Sequence, residues 1–135
     1  MKTLHSYWAY IVLAILIFTV INAIIGLTQK KEFTHKDFRL GLFSLITVHL
    51  QLVIGFLVYF IGGYQNGLSE MKDSAVRLLS LEHPLMMLIA ITLITIGWSK
   101  HKKQVKSESK FKTFAIFYGI ALVVILSRIP WNNWF

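Results

Sequence analysis

The sequence predicts an all-α integral membrane protein, folded as one four-helix up-and-down bundle. Of its 135 residues, 56% are hydrophobic and 15% are charged, whereas soluble domains are about 45–50% apolar and about 25% charged. The apolar residues form four long blocks, and a membrane-spanning helix needs roughly 20 such residues. These features exclude a soluble enzyme, a disordered tail and a DNA-binding module. The absence of cysteine also excludes disulfides and covalent c-type haem attachment.

Four spans follow one another within a single domain, residues 1–135. The first covers about residues 6–28, and its apolar run is longer than that of a cleavable signal peptide and lacks a small-residue cleavage site. The second covers about residues 38–63. The third covers about residues 78–99 and contains Pro84 near its start, where proline suits the first turn of a helix. The fourth covers about residues 111–129.

The basic residues predict how the spans are oriented. Lys and Arg number 14 against 6 for Asp and Glu, which gives a net charge of +8. Ten of the 14 lie in or beside the loops after the first and third spans: Lys30, Lys31, Lys36, Arg39, Lys100, Lys102, Lys103, Lys106, Lys110 and Lys112. The positive-inside rule places both loops in the cytoplasm and both termini on the non-cytoplasmic side. We therefore attribute the charge to topology and to contact with anionic membrane lipid, and expect no nucleic-acid partner.

Two histidines mark the expected cofactor site. His5 opens the first span and His83 opens the third, and in an up-and-down bundle these spans run parallel, so both side chains lie at the same depth. Neighbouring helices pack about 8–10 Å apart, which separates diagonal helices by roughly 12–14 Å. A flat macrocycle fits between two imidazoles at that separation, and haem iron binds axial histidines in this way. Facing helices of bundles commonly hold such cofactors.

Helical spacing gives the first span a single inward face. Residues three or four positions apart share a face, and this rule groups seven residues: His5, Trp8, Val12, Ile15, Thr19, Asn22 and Gly26. Thr19 and Asn22 indicate that the face contacts protein and not lipid. Trp8 is one turn from His5 on the same face, so we count it among the cofactor-binding candidates.

Arg128 closes the fourth span at the same side of the membrane as His5 and His83. Its guanidinium suits a forked contact with a haem propionate, but extension towards lipid headgroups explains it equally well. Trp131 and Trp134 follow, and tryptophans at this position are typical of an interfacial aromatic belt.

The remaining three histidines lie within the second span and in the basic loops. His49 lies about halfway along the second span, and a second metal ligand, a hydrogen bond to another span and a proton relay all remain open. Gln51 is about 200° away around the helix, so the two side chains do not share a face. His35 and His101 fall in the basic loops, and we expect both to be solvated.

Four segments of the chain, LHSYWAYIVLAI, HLQLVIGFLVYF, EHPLMMLIAITLITIG and ILSRIPW, together resemble a small membrane protein family of Bacteroidetes that is often labelled cytochrome b-like. The resemblance covers nearly the whole chain. The chain is more distantly similar to one four-helix half of haem A synthase, and the matching positions are His5 with Ala9, Gln51 with Gly55, and His83. The resemblance implies haem b on His5 and His83, with Gln51 at the cofactor site, in the inner (cytoplasmic) membrane of a bacterium.

The chain departs from haem A synthase in two respects. That enzyme has two such halves, and its chemistry depends on a glutamate just before the first histidine. This chain has one half, and the segment before His5 is MKTL. Haem oxidation is therefore not implied.

Three hypotheses on function follow. The first is a b-type cytochrome-like electron carrier, which exchanges single electrons with a quinone or a redox partner protein and is not a stand-alone catalyst. The second is a cofactor-free accessory or assembly subunit of a larger membrane complex. The third is a protein that handles copper or another metal ion through His5, His49, His83 and Met86 or Met87. We expect His49 to lie roughly 20 Å from the outer edge of the membrane, which makes one site shared with His5 unfavourable. The sequence is compatible with a homodimer and with membership of a larger complex.

Overall fold

The computed structural model describes residues 2–131 and is helical over nearly all of that range. The long helices are α1 (Lys2–Thr28), α2 (His35–Ile61), α3 (Ser74–Lys102) and α4 (Ser107–Ser127). A 3₁₀ turn, Tyr64–Ser69, precedes α3, and a π-helical turn, Leu78–Glu82, lies within it. Each helix begins three or four residues before the predicted span. The predicted spans follow the apolar blocks, whereas the helices also include a polar first turn. Trp134 lies outside the described residues.

Consecutive helices are antiparallel neighbours. The start of α1 meets the end of α2, where Gln51 Nε2 donates to the carbonyl oxygen of His5 (2.8 Å). The end of α2 meets the start of α3 through Tyr59 and Ser80, and the start of α3 meets the end of α4 through His83 and Arg128. Helix α4 also packs along α1. Helices α1 and α3 therefore lie on a diagonal of the bundle, and the predicted up-and-down topology is confirmed.

All four helices are long and apolar enough to cross a membrane, which indicates a multi-pass membrane protein. Their outward faces expose large apolar side chains, such as those of Phe18, Val53 and Val123, which suit contact with lipid. Polar groups lie inside instead. The buried hydroxyls of Thr19 and Ser44 bond to each other across α1 and α2 (2.9 Å), as expected where no water reaches the backbone and side chains. The predicted inward direction of Thr19 is confirmed.

Asp37 shows how an acidic residue is buried near the end of an apolar bundle. Its carboxylate accepts hydrogen bonds from Asn22 Nδ2 (2.7 Å) and from the Thr34 backbone N–H (2.8 Å). The second bond caps the first turn of α2. The first bond ties the end of α1 to the start of α2, which explains why Asn22 lies on the inward face.

The two ends of the bundle differ in composition. We call the end that contains His5, Gln51, His83 and the Arg128 backbone the histidine end. The opposite end, which we call the aromatic end, groups six packed rings: Phe33, Phe38, Trp98, His101, Phe111 and Phe114. The two basic loops meet at the aromatic end, where the Phe33 N–H donates to Ser107 Oγ (2.8 Å).

His101 corrects the sequence prediction. We expected a solvated loop residue, but its side chain is fully buried because α3 continues to Lys102 and the connection between α1 and α2 packs Phe33 against the imidazole. The expectation for His35 holds, since that residue is exposed.

Candidate functional site

A cavity of about 220 Å³ occupies the histidine end. All four helices contribute to its wall, which is mostly aliphatic. The polar side chains on the wall belong to seven residues: Lys2, His5, Ser6, Gln51, Tyr59, Tyr64 and His83. An apolar pocket with a few converging polar groups is the usual form of a cofactor site.

His5 and His83 face each other at this cavity. Their ring centroids are 6.3 Å apart, and the ring planes are nearly perpendicular at 82°. Two imidazoles on opposite sides of one metal ion place their ring centres roughly 6 Å apart, since each nitrogen lies about 2.0–2.1 Å from the ion. The spacing therefore suits a single metal centre between a diagonal pair of helices.

His83 is held by a hydrogen bond that selects its tautomer. Its Nδ1 lies 2.8 Å from the backbone carbonyl oxygen of Arg128, and a carbonyl oxygen only accepts, so Nδ1 carries the proton and donates. The neutral ring then keeps its free lone pair on Nε2. Metal-binding histidines commonly have this arrangement, in which one nitrogen donates to a carbonyl and the other is available to the metal.

The backbone before His83 is shaped by Pro84. Proline has no N–H, so the carbonyl of Ser80, four residues earlier, lacks its ordinary helical donor. The Tyr59 hydroxyl donates to that carbonyl instead (2.7 Å). Ser80 lies within the π turn Leu78–Glu82, and π turns are frequent at functional sites. Tyr59 thereby joins α2 to the turn that presents His83.

His5 is held against α2 in a different way. Gln51 Nε2 donates to its backbone carbonyl oxygen (2.8 Å). Gly55, one turn along α2, leaves room for the ring, because an added Cβ there would lie 3.2 Å from His5 Cε1. Two polar atoms in this contact, His5 Nδ1 and Gln51 Oε1, are buried without a hydrogen-bond partner.

The structure places two predicted site residues away from the cavity wall. Trp8 packs against the core and donates from Nε1 to the Thr47 carbonyl oxygen (3.0 Å), so it joins α1 to α2. The Arg128 guanidinium bonds to the carbonyl oxygen of Ser127 (2.9 Å). Arg128 contributes to the site through its backbone carbonyl, which accepts from His83, and this role is independent of side-chain type.

His49 is also separate from His5 and His83. It is exposed on the outer face of α2, and its Nδ1 lies 2.7 Å from the carbonyl oxygen of Leu45 in the same helix. Gln51, by contrast, is partly buried and lines the cavity. The two residues thus point to different sides of α2, as their spacing predicts.

Sequence reasoning missed Tyr59, Lys2 and the backbone carbonyl of Arg128. Tyr59 has a detectable signal, because Pro84 leaves a carbonyl without its helical donor and predicts an outside partner. Lys2 is the residue with a positively charged side chain among those that line the cavity. Backbone carbonyls leave no signal in the sequence.

The donor set suits a metal whose other ligands come from a cofactor. Residues 2–131 contain no cluster of three or more His, Cys, Asp or Glu side chains, so the protein offers a bare ion only the His5–His83 pair. A haem needs only two axial ligands, because its macrocycle supplies the others. The cavity is smaller than the roughly 300–1,000 Å³ of typical ligand pockets, so haem binding requires some widening, and Met87 is the flexible side chain on its wall. A search of protein-family models, curated proteins and solved structures gave no match to this chain.

Proposed function

We propose that this protein is a membrane-embedded b-type cytochrome that binds haem between α1 and α3 and carries single electrons. One observation supports the proposal above all. Two imidazoles from diagonal helices face each other at an apolar cavity with ring centroids 6.3 Å apart. The partners that fit are a membrane quinone or a redox protein on the non-cytoplasmic side, and the membrane is the inner membrane of a bacterium.

The residues of the chain perform three tasks at this site. His5 and His83 present nitrogen ligands, and the Arg128 carbonyl keeps the His83 proton on Nδ1. Aliphatic side chains, such as those of Val12 and Ile91, keep water from the site. Haem, when bound, supplies one-electron transfer at its iron. The Lys2 ammonium at the wall suits a carboxylate of the cofactor.

The orientation of the bundle completes the proposal. The basic loops meet at the aromatic end, which the positive-inside rule assigns to the cytoplasm. The histidine end then faces the non-cytoplasmic side. A cysteine introduced at Lys106, in the loop at the aromatic end, is expected to resist a membrane-impermeant thiol reagent in intact cells, whereas one at Asn66 is expected to react. The reverse labelling pattern would contradict this orientation.

The spectrum of the purified protein tests the proposal. We expect a sharp α-band of a low-spin b-type haem in the reduced-minus-oxidised spectrum, with one haem per chain by pyridine haemochrome assay. His5→Ala and His83→Ala are each expected to remove this signal. His49→Ala is the matched control, because His49 lies outside the cavity, and it should retain full haem. Full haem in either of the first two variants would disprove the axial pair.

His49 favours a second candidate, a cofactor-free accessory subunit of a larger membrane complex. Its imidazole is exposed midway along an apolar helix, and polar side chains on such a surface commonly contact another protein. This candidate predicts a colourless protein that co-purifies with partner subunits. In that case His49→Leu should weaken the co-purification, and His83→Ala should leave it unchanged.

A further inference from the structure

The two imidazoles at the histidine end differ in one respect. His83 Nδ1 donates to a carbonyl oxygen at 2.8 Å, but His5 Nδ1 is buried without a partner. The side chain beside His5 is Gln51, whose Oε1 is likewise buried and without a partner. Two polar atoms that both lack hydrogen-bond partners thus belong to neighbouring side chains. One of them, the amide oxygen, can only accept a hydrogen bond.

The orientation of the Gln51 amide follows from its other contact. The backbone carbonyl of His5 accepts hydrogen bonds and cannot donate, so the amide group that faces it at 2.8 Å must be the NH₂. A flipped amide would place two oxygens against each other. The oxygen of the amide is therefore the group that remains for the imidazole ring.

We propose that Gln51 positions His5, with Oε1 as the acceptor for the Nδ1 proton. This hydrogen bond selects the Nδ1–H tautomer, orients the ring and leaves the lone pair on Nε2. His5 then matches His83, whose proton is held by the Arg128 carbonyl. The role of the free nitrogen as a metal ligand rests on the proposed function, whereas formation of the hydrogen bond itself requires no cofactor.

Gly55 gives this arrangement the space it needs. An added Cβ at Gly55 would lie 3.2 Å from Cε1 and 3.7 Å from Nδ1 of His5. The same edge of the ring, Cε1 and Nδ1, therefore lies against α2. Gln51 is one turn away on the same face, so the Gln51 amide and Gly55 together form the surface of α2 against which the imidazole lies.

The tautomer can be measured without a cofactor. In ¹⁵N-labelled protein in detergent at neutral pH, long-range ¹H–¹⁵N spectra of the histidine rings should show His5 and His83 as Nδ1–H tautomers. Gln51→Met should shift His5 towards the Nε2–H tautomer and leave His83 unchanged. Gln51→Glu loses the NH₂ that donates to the His5 carbonyl but keeps an acceptor oxygen for the ring, so it should retain the wild-type tautomer of His5. The matched control is Gln104→Met at the opposite end, which should alter neither ring.

Two results would overturn the proposal. One is an Nε2–H tautomer of His5 in the wild-type protein, and the other is an unchanged Nδ1–H tautomer in Gln51→Met. If Gln51→Met does not fold, Gln51→Asn gives the same test, because its shorter side chain cannot reach both the backbone carbonyl and the ring.

A second measurement uses the haem-loaded protein. Loss of the acceptor makes His5 a weaker electron donor to the iron, so Gln51→Met should raise the midpoint potential relative to wild type, and Gln51→Glu should not. A wild-type protein without haem would disprove the proposed function and leave the tautomer result standing. If the wild-type protein binds haem but the His5 tautomer is the same in Gln51→Met, only this inference is disproved and the proposed function stands.

Discussion

Each end of the bundle contains a histidine whose Nδ1 bonds to a backbone carbonyl, yet the two ends have different structures. His83 bonds to Arg128 of the neighbouring helix (2.8 Å) and faces a cavity and a second imidazole. His101 bonds to Trp98 of its own helix (2.5 Å) and is enclosed by rings, with the Phe114 centroid 4.5 Å away. Burial alone therefore does not identify a ligand, because a ligand also needs open space beside its second nitrogen.

Glycines contribute to this difference. At the aromatic end, Gly26 and Gly41 lie so close to Phe111 and Phe114 that an added Cβ would come within 2.6 Å and 2.3 Å of the rings. The rings therefore pack directly on the backbone and fill the space between the helices. At the histidine end, Gly55 provides room for a single imidazole, and the volume beside it stays open.

The largest expected effects come from replacing His83 and His101 in two separate variants. His83→Ala should abolish haem binding and His101→Ala should retain it. Conversely, His101→Ala should lower the free energy of unfolding by about 2–4 kcal/mol, because it leaves a void in packed rings. Haem spectra and denaturant unfolding in detergent measure the two effects. Loss of haem in His101→Ala, with the fold intact, would show that the aromatic end also holds a cofactor.

Paired glycine variants test whether the two ends are packed differently. Gly41→Ala should lower the free energy of unfolding by about 1–3 kcal/mol, because the buried Phe114 ring has no space to move. Gly55→Ala should cost less, since its added Cβ lies 3.2 Å from a ring at a cavity, but it should change the haem spectrum. Thermal unfolding and visible spectra separate the two effects. If both variants lower the free energy of unfolding equally, the aromatic end is not more tightly packed than the histidine end.

Much of this arrangement could be predicted from the sequence because it depends on helical periodicity. Hydropathy identified four helices, and steps of three and four residues placed Thr19 and Gly26 on the buried face. The up-and-down order then brought His5 and His83 to one end. The direction of His49 away from Gln51 followed from two residues of helical rotation.

The sequence is less informative where tertiary contacts determine the environment, and the expectation of a solvated His101 was wrong for this reason. His101 lies two residues beyond the predicted third span, and only its contact with Phe33 and Phe114 shows that it is buried. Trp8 lies on the predicted face, but the Thr47 carbonyl fixes its direction. The charge of Arg128 suggests a contact with a haem propionate, which stays a prediction, and the sequence gives no sign that its backbone carbonyl bonds to His83. The resemblance to cytochrome b-like proteins and the haem itself remain predictions.

Tyr59 allows a finer test of how the histidine end is built. Tyr59→Phe removes the hydrogen bond to the Ser80 carbonyl, and we expect a loss of about 1 kcal/mol in the free energy of unfolding. Because Ser80 belongs to the turn before His83, the variant should also shift the haem midpoint potential. Tyr10→Phe, on the exposed face of α1, is the matched control and should leave the potential unchanged. If Tyr59→Phe leaves the haem midpoint potential unchanged, the π turn does not influence the haem site.

The smallest expected effect concerns Arg128. Its side chain bonds to the adjacent Ser127 carbonyl, whereas its own carbonyl holds His83. Arg128→Ala keeps that carbonyl, so haem content should equal wild type and the free energy of unfolding should change by no more than about 0.5 kcal/mol.

Lys2→Ala should instead weaken haem retention in an apomyoglobin transfer assay, because Lys2 is the cationic residue among those that line the cavity. Faster haem loss in Arg128→Ala than in Lys2→Ala would show that the guanidinium, and not the backbone alone, serves the histidine end. The comparison of the two ends would then have to include the positive charge of the Arg128 side chain.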